Sequence, residues 1–178
     1  PRCHDRFNDV CPGDYFYFAV LDLDTAHVMS GYDTIPPCIN GAEVPCFKPY
    51  NNITRGQAAK IITLGANLPA NPEGAPHFTD VPTTSAFYQF IEYAYNAGVI
   101  NGYPCGGPGE PCDSNNRAYY RPGNDVTRGQ LSKMVSTGFG YNEPVVAQTF
   151  EDVPPTSTFY AWIERIAQRG IIGGYQCG

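Results

Sequence analysis

Residues 126–130 read Val-Thr-Arg-Gly-Gln, and residues 53–57 read Ile-Thr-Arg-Gly-Gln. A Thr followed three residues later by Gln is typical of a capping box, in which each residue's side chain bonds the other's backbone N–H. Each stretch therefore predicts the start of a helix, over 55–66 in one case and 128–138 in the other. The predicted caps are Thr54 with Gln57 and Thr127 with Gln130.

Both stretches place an arginine, Arg55 or Arg128, on the first helical turn. A helix N-terminus already carries partial positive charge, so a cation is unfavourable there. One interpretation is a solvated arginine that merely follows a good cap. The other is an anion held by the arginine together with the free N–H groups of the first turn.

Composition limits the classes of function. The 178 residues carry a formal net charge of −6, which argues against nucleic acid as a partner because such binding depends on basic surfaces. No apolar run is long enough to span a bilayer, so no transmembrane segment is predicted. The sequence starts with Pro-Arg-Cys, and we expect a processed or trimmed start.

Seven cysteines indicate an oxidising compartment. Local pairing would give three disulfides, Cys3–Cys11, Cys38–Cys46 and Cys105–Cys112. Zinc binding is the alternative, but no Cys-x-x-Cys pair and no histidine at ligand spacing supports it. No metal and no cofactor is predicted. Cys177 has no partner in this pairing scheme.

A repeat organises the chain. Phe-x-Asp-Val begins at Phe7, Phe78 and Phe150, and each copy precedes an aromatic-rich segment and then Gly-Tyr. Helical spacing of apolar residues predicts a first helix in each repeat, over 15–27, 86–97 and 158–168. The predicted organisation is a first repeat at 1–66, a linker at 67–77, a second repeat at 78–138, a linker at 139–149, and the first half of a third repeat at 150–178.

Two further features follow from the repeat. The aspartate of each Phe-x-Asp-Val is expected to organise its own turn through its side chain, and the flanking Phe and Val to be core anchors. By register, Cys177 corresponds to Cys105, whose partner in the third repeat would lie past residue 178. We therefore expect the chain to be part of something longer.

The order of these elements, ending in Phe-Lys-Pro or Tyr-Arg-Pro and then Thr-Arg-Gly-Gln, resembles the S-layer homology domain. The resemblance implies a mainly α fold of tandem helix–loop–helix repeats in a pseudo-threefold spindle, here with long disulfide-stapled loops and little strand. It also implies an anchor that binds cell-wall polysaccharide, often pyruvylated, in grooves between repeats. Arg55 and Arg128 match the arginine that contacts the anionic ligand.

The sequence departs from the family pattern in several places. Gln57 and Gln130 replace a glutamate, which removes a carboxylate beside each arginine. Gly56 and Gly129 replace an alanine, which lowers helix propensity by about 0.5–1 kcal/mol and lets a group approach the backbone closely. The stapled loops are insertions, and the first repeat is degenerate, so its groove is the one expected to have lost binding.

We therefore expect a secreted, cell-surface binding module with Arg55, Arg128, Gly56 and Gly129 in its ligand sites. Its expected partners are cell-wall polysaccharide and, in addition, other copies of itself or surface-layer proteins. The alternative is a structural subunit of a surface layer or extracellular filament, which the richness in Tyr and scarcity of Lys would suit. An enzyme is poorly supported, because no paired catalytic constellation and no phosphate-binding loop is present.

Overall fold

The computed structural model of this chain describes residues 6–32, 45–70 and 76–176. These residues form five α-helices: α1 (Tyr17–Thr25), α2 (Arg55–Gly65), α3 (Tyr88–Asn96), α4 (Arg128–Gly138) and α5 (Tyr160–Gln168). Within the described ranges the only strand pairing is at isolated bridges. The predicted mainly α class is confirmed, and the first helix of each repeat begins two residues later than predicted.

The chain forms two compact units, residues 1–52 and residues 53–178. Helix α1 lies in the first unit. In the second unit α2 packs against α3 and α4, and α4 packs against α5. The boundary between the units thus falls just before α2, which the sequence had placed in the first repeat. The division into repeats, and the spindle, stay predictions.

All five helices end in the same hydrogen-bonded turn. In α3, Gly98 adopts φ +71°, its N–H donates to Tyr95 O, and Val99 N–H donates to Ala94 O. This is a Schellman motif, which needs a residue in the left-handed conformation just past the helix. Glycine fills that position after α3, α4 and α5, whereas His27 and Asn67 fill it after α1 and α2.

The Phe and Val of Phe-x-Asp-Val are core residues, as predicted, in two repeats. Phe7 and Val10 are fully buried in the first unit, where they pack with Val20 of α1. Phe78 and Val81 are buried in the second unit. The hydrophobic core of the second unit contains Phe78, Val81 and Tyr120 together with residues of α2, α3 and α4.

The prediction for the aspartates is wrong in one respect, because Asp9 and Asp80 organise a remote turn. Asp80 accepts hydrogen bonds from Tyr120 N–H at 2.7 Å and Arg121 N–H at 2.6 Å. Asp9 accepts equivalent bonds from the N–H groups of residues 47 and 48, at 2.8 and 2.7 Å. Residues 48 and 121 both have positive φ, so the carboxylate holds an unfavourable backbone conformation in place ahead of the proline.

Buried glutamates tie the start of each Phe-x-Asp-Val to its helix in the second unit. Glu92 of α3 accepts from His77 N–H at 3.1 Å and pairs with the His77 ring. Glu164 of α5, fully buried, accepts from Thr149 N–H at 3.0 Å. Buried carboxylates are tolerated when they are hydrogen-bonded in this way.

Candidate functional site

Capping boxes fix the starts of α2 and α4. In α2, Thr54 Oγ1 accepts from Gln57 N–H at 3.3 Å, and Gln57 Oε1 accepts from Thr54 N–H at 2.9 Å. In α4 the two corresponding distances are 3.3 and 3.1 Å. The cap places the next residue, an arginine, at the first position of the helix.

The Arg55 side chain is buried and bonded to protein. Its Nε donates to Tyr120 O at 2.8 Å, and one terminal N–H donates to Asn101 O at 3.3 Å. The guanidinium lies over the ring of Tyr120 at 4.5 Å and the ring of Tyr103 at 5.1 Å. Carbonyl dipoles and aromatic faces thus stabilise this cation. No carboxylate in the described ranges forms an ion pair with it.

The first N–H groups of α2 are not free for an anion, contrary to the sequence-based interpretation. Arg55 N–H donates to Asn124 O at 2.8 Å, and Gly56 N–H donates to Pro122 O at 2.9 Å. The turn that carries Tyr120 therefore satisfies this helix end. An anion near Arg55 would therefore have to bind the guanidinium group, because these backbone N–H groups already have acceptors.

Arg128 repeats part of this arrangement at the surface. A terminal N–H donates to Gly173 O at 2.9 Å, and the guanidinium lies 5.3 Å from the ring of Tyr175. Gly173 and Tyr175 occupy the same register as Asn101 and Tyr103. Arg128 is exposed, unlike Arg55, and its charge is correspondingly accessible.

Gly56 and Gly129 lie under phenyl rings. A Cβ atom built on Gly56 would lie 2.7 Å from the Phe87 ring, and one built on Gly129 would lie 2.6 Å from the Phe159 ring. The close approach predicted from these glycines is therefore made by a side chain of the protein itself. A role of the glycines in ligand binding stays a prediction.

Arg55 and Lys133 line the same cavity of about 240 Å³ in the second unit. Arg55 comes from α2 and Lys133 from α4, so two helices supply two cations. Tyr103 and Gln130 also line it, and Gln130 Nε2 donates to the Tyr103 hydroxyl oxygen at 3.3 Å. These groups can bind an oxyanion through charge and through polar hydrogens.

Lys133 and Tyr103 are site residues that the sequence reasoning did not single out. A signal for Lys133 was present, because a lysine follows the capping threonine by six residues in both copies, at Lys60 and Lys133. Both ammonium groups lie over an aromatic ring, Lys133 Nζ at 5.2 Å from Trp162 and Lys60 Nζ at 5.7 Å from Phe90. Lys60 does not line this cavity.

The stapled loop of the second repeat supports Tyr103 from outside the cavity. The predicted Cys105–Cys112 disulfide is present. Glu110 of this loop forms a two-bond ion pair with Arg121 at 2.7 and 2.8 Å, and Arg121 lies 3.9 Å from the Tyr103 ring. The hydrogen bond from Arg121 lowers the pKa of the Glu110 carboxyl below its usual value.

The remaining cysteines fall partly outside the described residues. Cys11 and Cys46 are disulfide-bonded. Their predicted partners, Cys3 and Cys38, lie outside the residues that the structure describes, as does Cys177. Among the described residues no cluster of His, Cys, Asp or Glu could hold a metal ion, and no helix there is long and apolar enough to cross a membrane.

Comparison with known proteins identifies part of the second unit, which includes Tyr103 and Gln130 of this cavity but neither Arg55 nor Lys133. Residues 77–132 match the S-layer homology domain. The resemblance inferred from the repeat is thereby confirmed. An S-layer homology domain is a binding domain for cell-wall polymers, so the match implies a module that anchors a protein at the cell surface.

One relative is an endoglucanase of Bacillus sp. (strain KSM-635), 27% identical over 126 residues. The matched part is 68% of this chain but 12% of the endoglucanase. The likeness therefore concerns a small part of that protein.

Proposed function

We propose that this chain is a secreted, non-catalytic module that anchors a protein to anionic cell-wall polysaccharide. The observation that carries the proposal is the convergence of Arg55 and Lys133 on one cavity. Two cations from different helices, with no carboxylate paired to Arg55 in the described ranges, favour a ligand with a localised negative charge.

The cavity's size indicates which part of a polysaccharide it receives. Ligand pockets commonly measure about 300–1,000 Å³, and this one is about 240 Å³. It suits one acidic substituent and the sugar that carries it. A pyruvyl ketal, which the family resemblance implies, places a carboxylate on such a sugar.

Arg128 is proposed to serve a second groove of the same kind. Its contacts with residues 173 and 175 repeat those of Arg55 with residues 101 and 103. The Arg128 guanidinium is exposed and makes no ion pair with a described residue, which leaves its charge available to an anion.

Secretion to the cell surface is supported by the disulfide chemistry. Cys105–Cys112 closes a short exposed loop, and such disulfides persist in oxidising compartments. The family match supports the same location.

A second candidate function is a subunit of a surface layer or filament assembled through protein contacts. The first unit favours it, because Tyr15, Phe18 and Tyr50 are 96%, 75% and 81% exposed. Phe16 joins Tyr15 and Tyr50 through edge-to-face contacts at 5.0 and 5.8 Å. Exposed aromatic clusters are typical of interaction surfaces.

The test of the anchor is binding to purified cell-wall polysaccharide before and after chemical removal of its acidic substituents. We expect saturable binding to the intact polymer and at least a tenfold weaker affinity for the stripped one. Equal affinity for the two polymers would contradict an anion site. Self-assembly without polysaccharide, measured by light scattering, would favour the structural subunit.

A further inference from the structure

The first unit presents three exposed aromatic rings, those of Tyr15, Phe18 and Tyr50, which we call the aromatic surface. Tyr15 lies just ahead of α1, Phe18 lies in its first turn, and Tyr50 lies in the turn after Pro49. They are the most exposed of the large hydrophobic side chains described in this unit. Clusters of this kind mark interaction sites.

The fold of the repeat does not require these rings. The helices α1, α3 and α5 each begin with the same Phe-Tyr pair, which aligns the three copies. At the positions of Tyr15, Phe18 and Tyr50 the other repeats carry small or polar residues: Ala86 and Thr158, Gln89 and Ala161, and Gly123. The aromatic surface is therefore a feature of the first repeat alone.

The exposed rings are held by two rings that are anchored in the core. Phe16 and Tyr17 both pack against the buried cluster of the first unit. Phe16 makes edge-to-face contacts with Tyr15 at 5.0 Å and with Tyr50 at 5.8 Å, and Tyr17 makes one with Phe18 at 5.1 Å. Rings held in this way lose little conformational entropy when a ligand covers them.

Carboxylates lie next to the aromatic surface. Asp14 directly precedes Tyr15, and Asp22 follows Phe18 by four residues on α1, which makes the two side chains neighbours on the helix surface. Negative charge at these two places repels an anionic ligand.

The arginine and the lysine of the described part of this unit are engaged elsewhere. Arg6 forms a two-bond ion pair with Asp24, at 2.6 and 2.7 Å. Lys48 Nζ lies 4.6 Å from the centre of the Tyr32 ring. The aromatic surface therefore suits an uncharged ligand, in contrast to the cavity that Arg55 lines.

The polar groups at this surface suit a sugar. An aromatic ring carries partial negative charge on its face, and the C–H groups on the flat face of a pyranose carry partial positive charge. Such a sugar can therefore stack on an exposed ring, with its hydroxyl groups at the rim. The hydroxyls of Tyr15 and Tyr50 and the exposed amide of Asn51 can exchange hydrogen bonds with those hydroxyl groups.

We propose that the aromatic surface binds an uncharged pyranose glycan, at a site separate from the anion site at Arg55. Chains of β-linked glucose or N-acetylglucosamine present the flat C–H face that stacking needs. Three rings give contact with more than one sugar of the chain. The first repeat thus contributes its own glycan contact, and this contact does not rest on the anchoring function proposed above.

The first test titrates cellohexaose and chitohexaose into the full chain by isothermal calorimetry. We expect saturable binding of at least one of them, with the same affinity at low and at high salt, because no ion pair is formed. Absence of binding of both at millimolar concentration overturns the proposal. Binding that high salt abolishes overturns it as well.

The second test replaces the rings by the residues that the second repeat carries at the same positions. The triple variant Tyr15→Ala, Phe18→Gln, Tyr50→Gly should keep the wild-type melting temperature and bind the oligosaccharide at least tenfold more weakly. Val146→Ala, which truncates an exposed apolar side chain of the second unit, should bind as wild type does. Equal affinities of the triple variant and wild type overturn the proposal.

Tyr50→Ala alone repeats this test outside the helix, in case the triple variant does not fold. It should weaken oligosaccharide binding at least threefold, and unchanged binding overturns the proposal. Lys133→Glu, which removes a cation of the proposed anion site, should leave oligosaccharide binding unchanged. The two proposals therefore fail separately, and loss of oligosaccharide binding in Lys133→Glu would place the sugar in the other cavity and overturn this one.

A second copy of the chain is the competing occupant of the aromatic surface. Sedimentation of wild type and the triple variant tests it, and we expect both to sediment alike. A wild-type dimer that the triple variant abolishes, and that the oligosaccharide does not dissociate, would assign the surface to self-association and overturn the proposal.

Discussion

Tyr120 and Arg55 exchange reciprocal hydrogen bonds across 65 residues of sequence. The Tyr120 hydroxyl donates to Arg55 O at 2.9 Å, and Arg55 Nε donates to Tyr120 O at 2.8 Å. This pair joins the first turn of α2 to the turn ahead of α4. It gives the arginine at the helix start a structural role, and the cavity shared with Lys133 is the basis of its proposed functional role.

Burial of Tyr120 predicts a loss of stability at alkaline pH. Burial raises the pKa of Tyr120 from 10.0 to about 12. The folded state therefore favours the neutral phenol, and its stabilising contribution is complete below pH 10 and is lost as the pH rises towards 12. By pH 11 we expect this group to account for about 1 kcal/mol of lost unfolding free energy.

Denaturant unfolding of wild type and Tyr120→Phe at pH 9 and pH 11 isolates this effect from that of the other tyrosines. At pH 9 the variant should be less stable by about 1–2 kcal/mol, because the Arg55 carbonyl loses its donor. Between the two pH values it should lose less stability than wild type. An identical pH dependence would show that Tyr120 titrates normally.

Gly56→Ala and Gly129→Ala should each destabilise the chain by about 1–3 kcal/mol. Alanine is the better helix former, but its Cβ would lie 2.7 Å or less from a packed phenyl ring. Gly123→Ala is the matched control, since a Cβ there meets nothing within 4 Å. The prediction is wrong if thermal unfolding shows the two helical variants to be as stable as the control.

Asp80→Asn should cost about 1–3 kcal/mol, because it replaces a carboxylate that accepts from Tyr120 and Arg121 N–H. Asp152→Asn is the matched control in the same motif and should be nearly neutral, as no described residue donates to Asp152. Urea unfolding of both variants measures the difference. Equal destabilisation would remove the argument that Asp80 holds a turn in place and Asp152 does not.

Removal of the Cys105–Cys112 disulfide should cost about 2–3 kcal/mol by the loop-entropy estimate. The matched variants are Cys105→Ser with Cys112→Ser, and Glu110→Gln, which leaves the disulfide intact and removes the charge opposite Arg121. Both should loosen Tyr103 and weaken polysaccharide binding. Unchanged binding in both variants would show that the loop contributes to stability alone.

Local signals made the helices predictable. Each capping box lies within four residues of sequence, and Gly98 and Gly170 mark helix ends where the chain must turn left-handed. His27 and Asn67 adopt the same left-handed conformation after α1 and α2. Because neither residue is glycine, the sequence marked the ends of these two helices less clearly.

The functional geometry was less predictable because its contacts are long-range. The sequence identified Arg55 as anomalous, but Tyr120, its main partner, lies 65 residues away. Asp80 likewise reaches a turn 40 and 41 residues later, and nothing local distinguishes that from a bond within its own turn. Lys133 was identifiable only by comparing the two copies after their helices were aligned.

The central claim is that Arg55 and Lys133 together bind an anionic cell-wall polysaccharide. Its most direct test is the affinity of Lys133→Glu for the purified polymer, with Lys60→Glu as the control at the same register of α2. We predict at least a tenfold loss for Lys133→Glu, with wild-type stability, and no loss for Lys60→Glu. Equal affinities for wild type, Lys133→Glu and Lys60→Glu would contradict the claim.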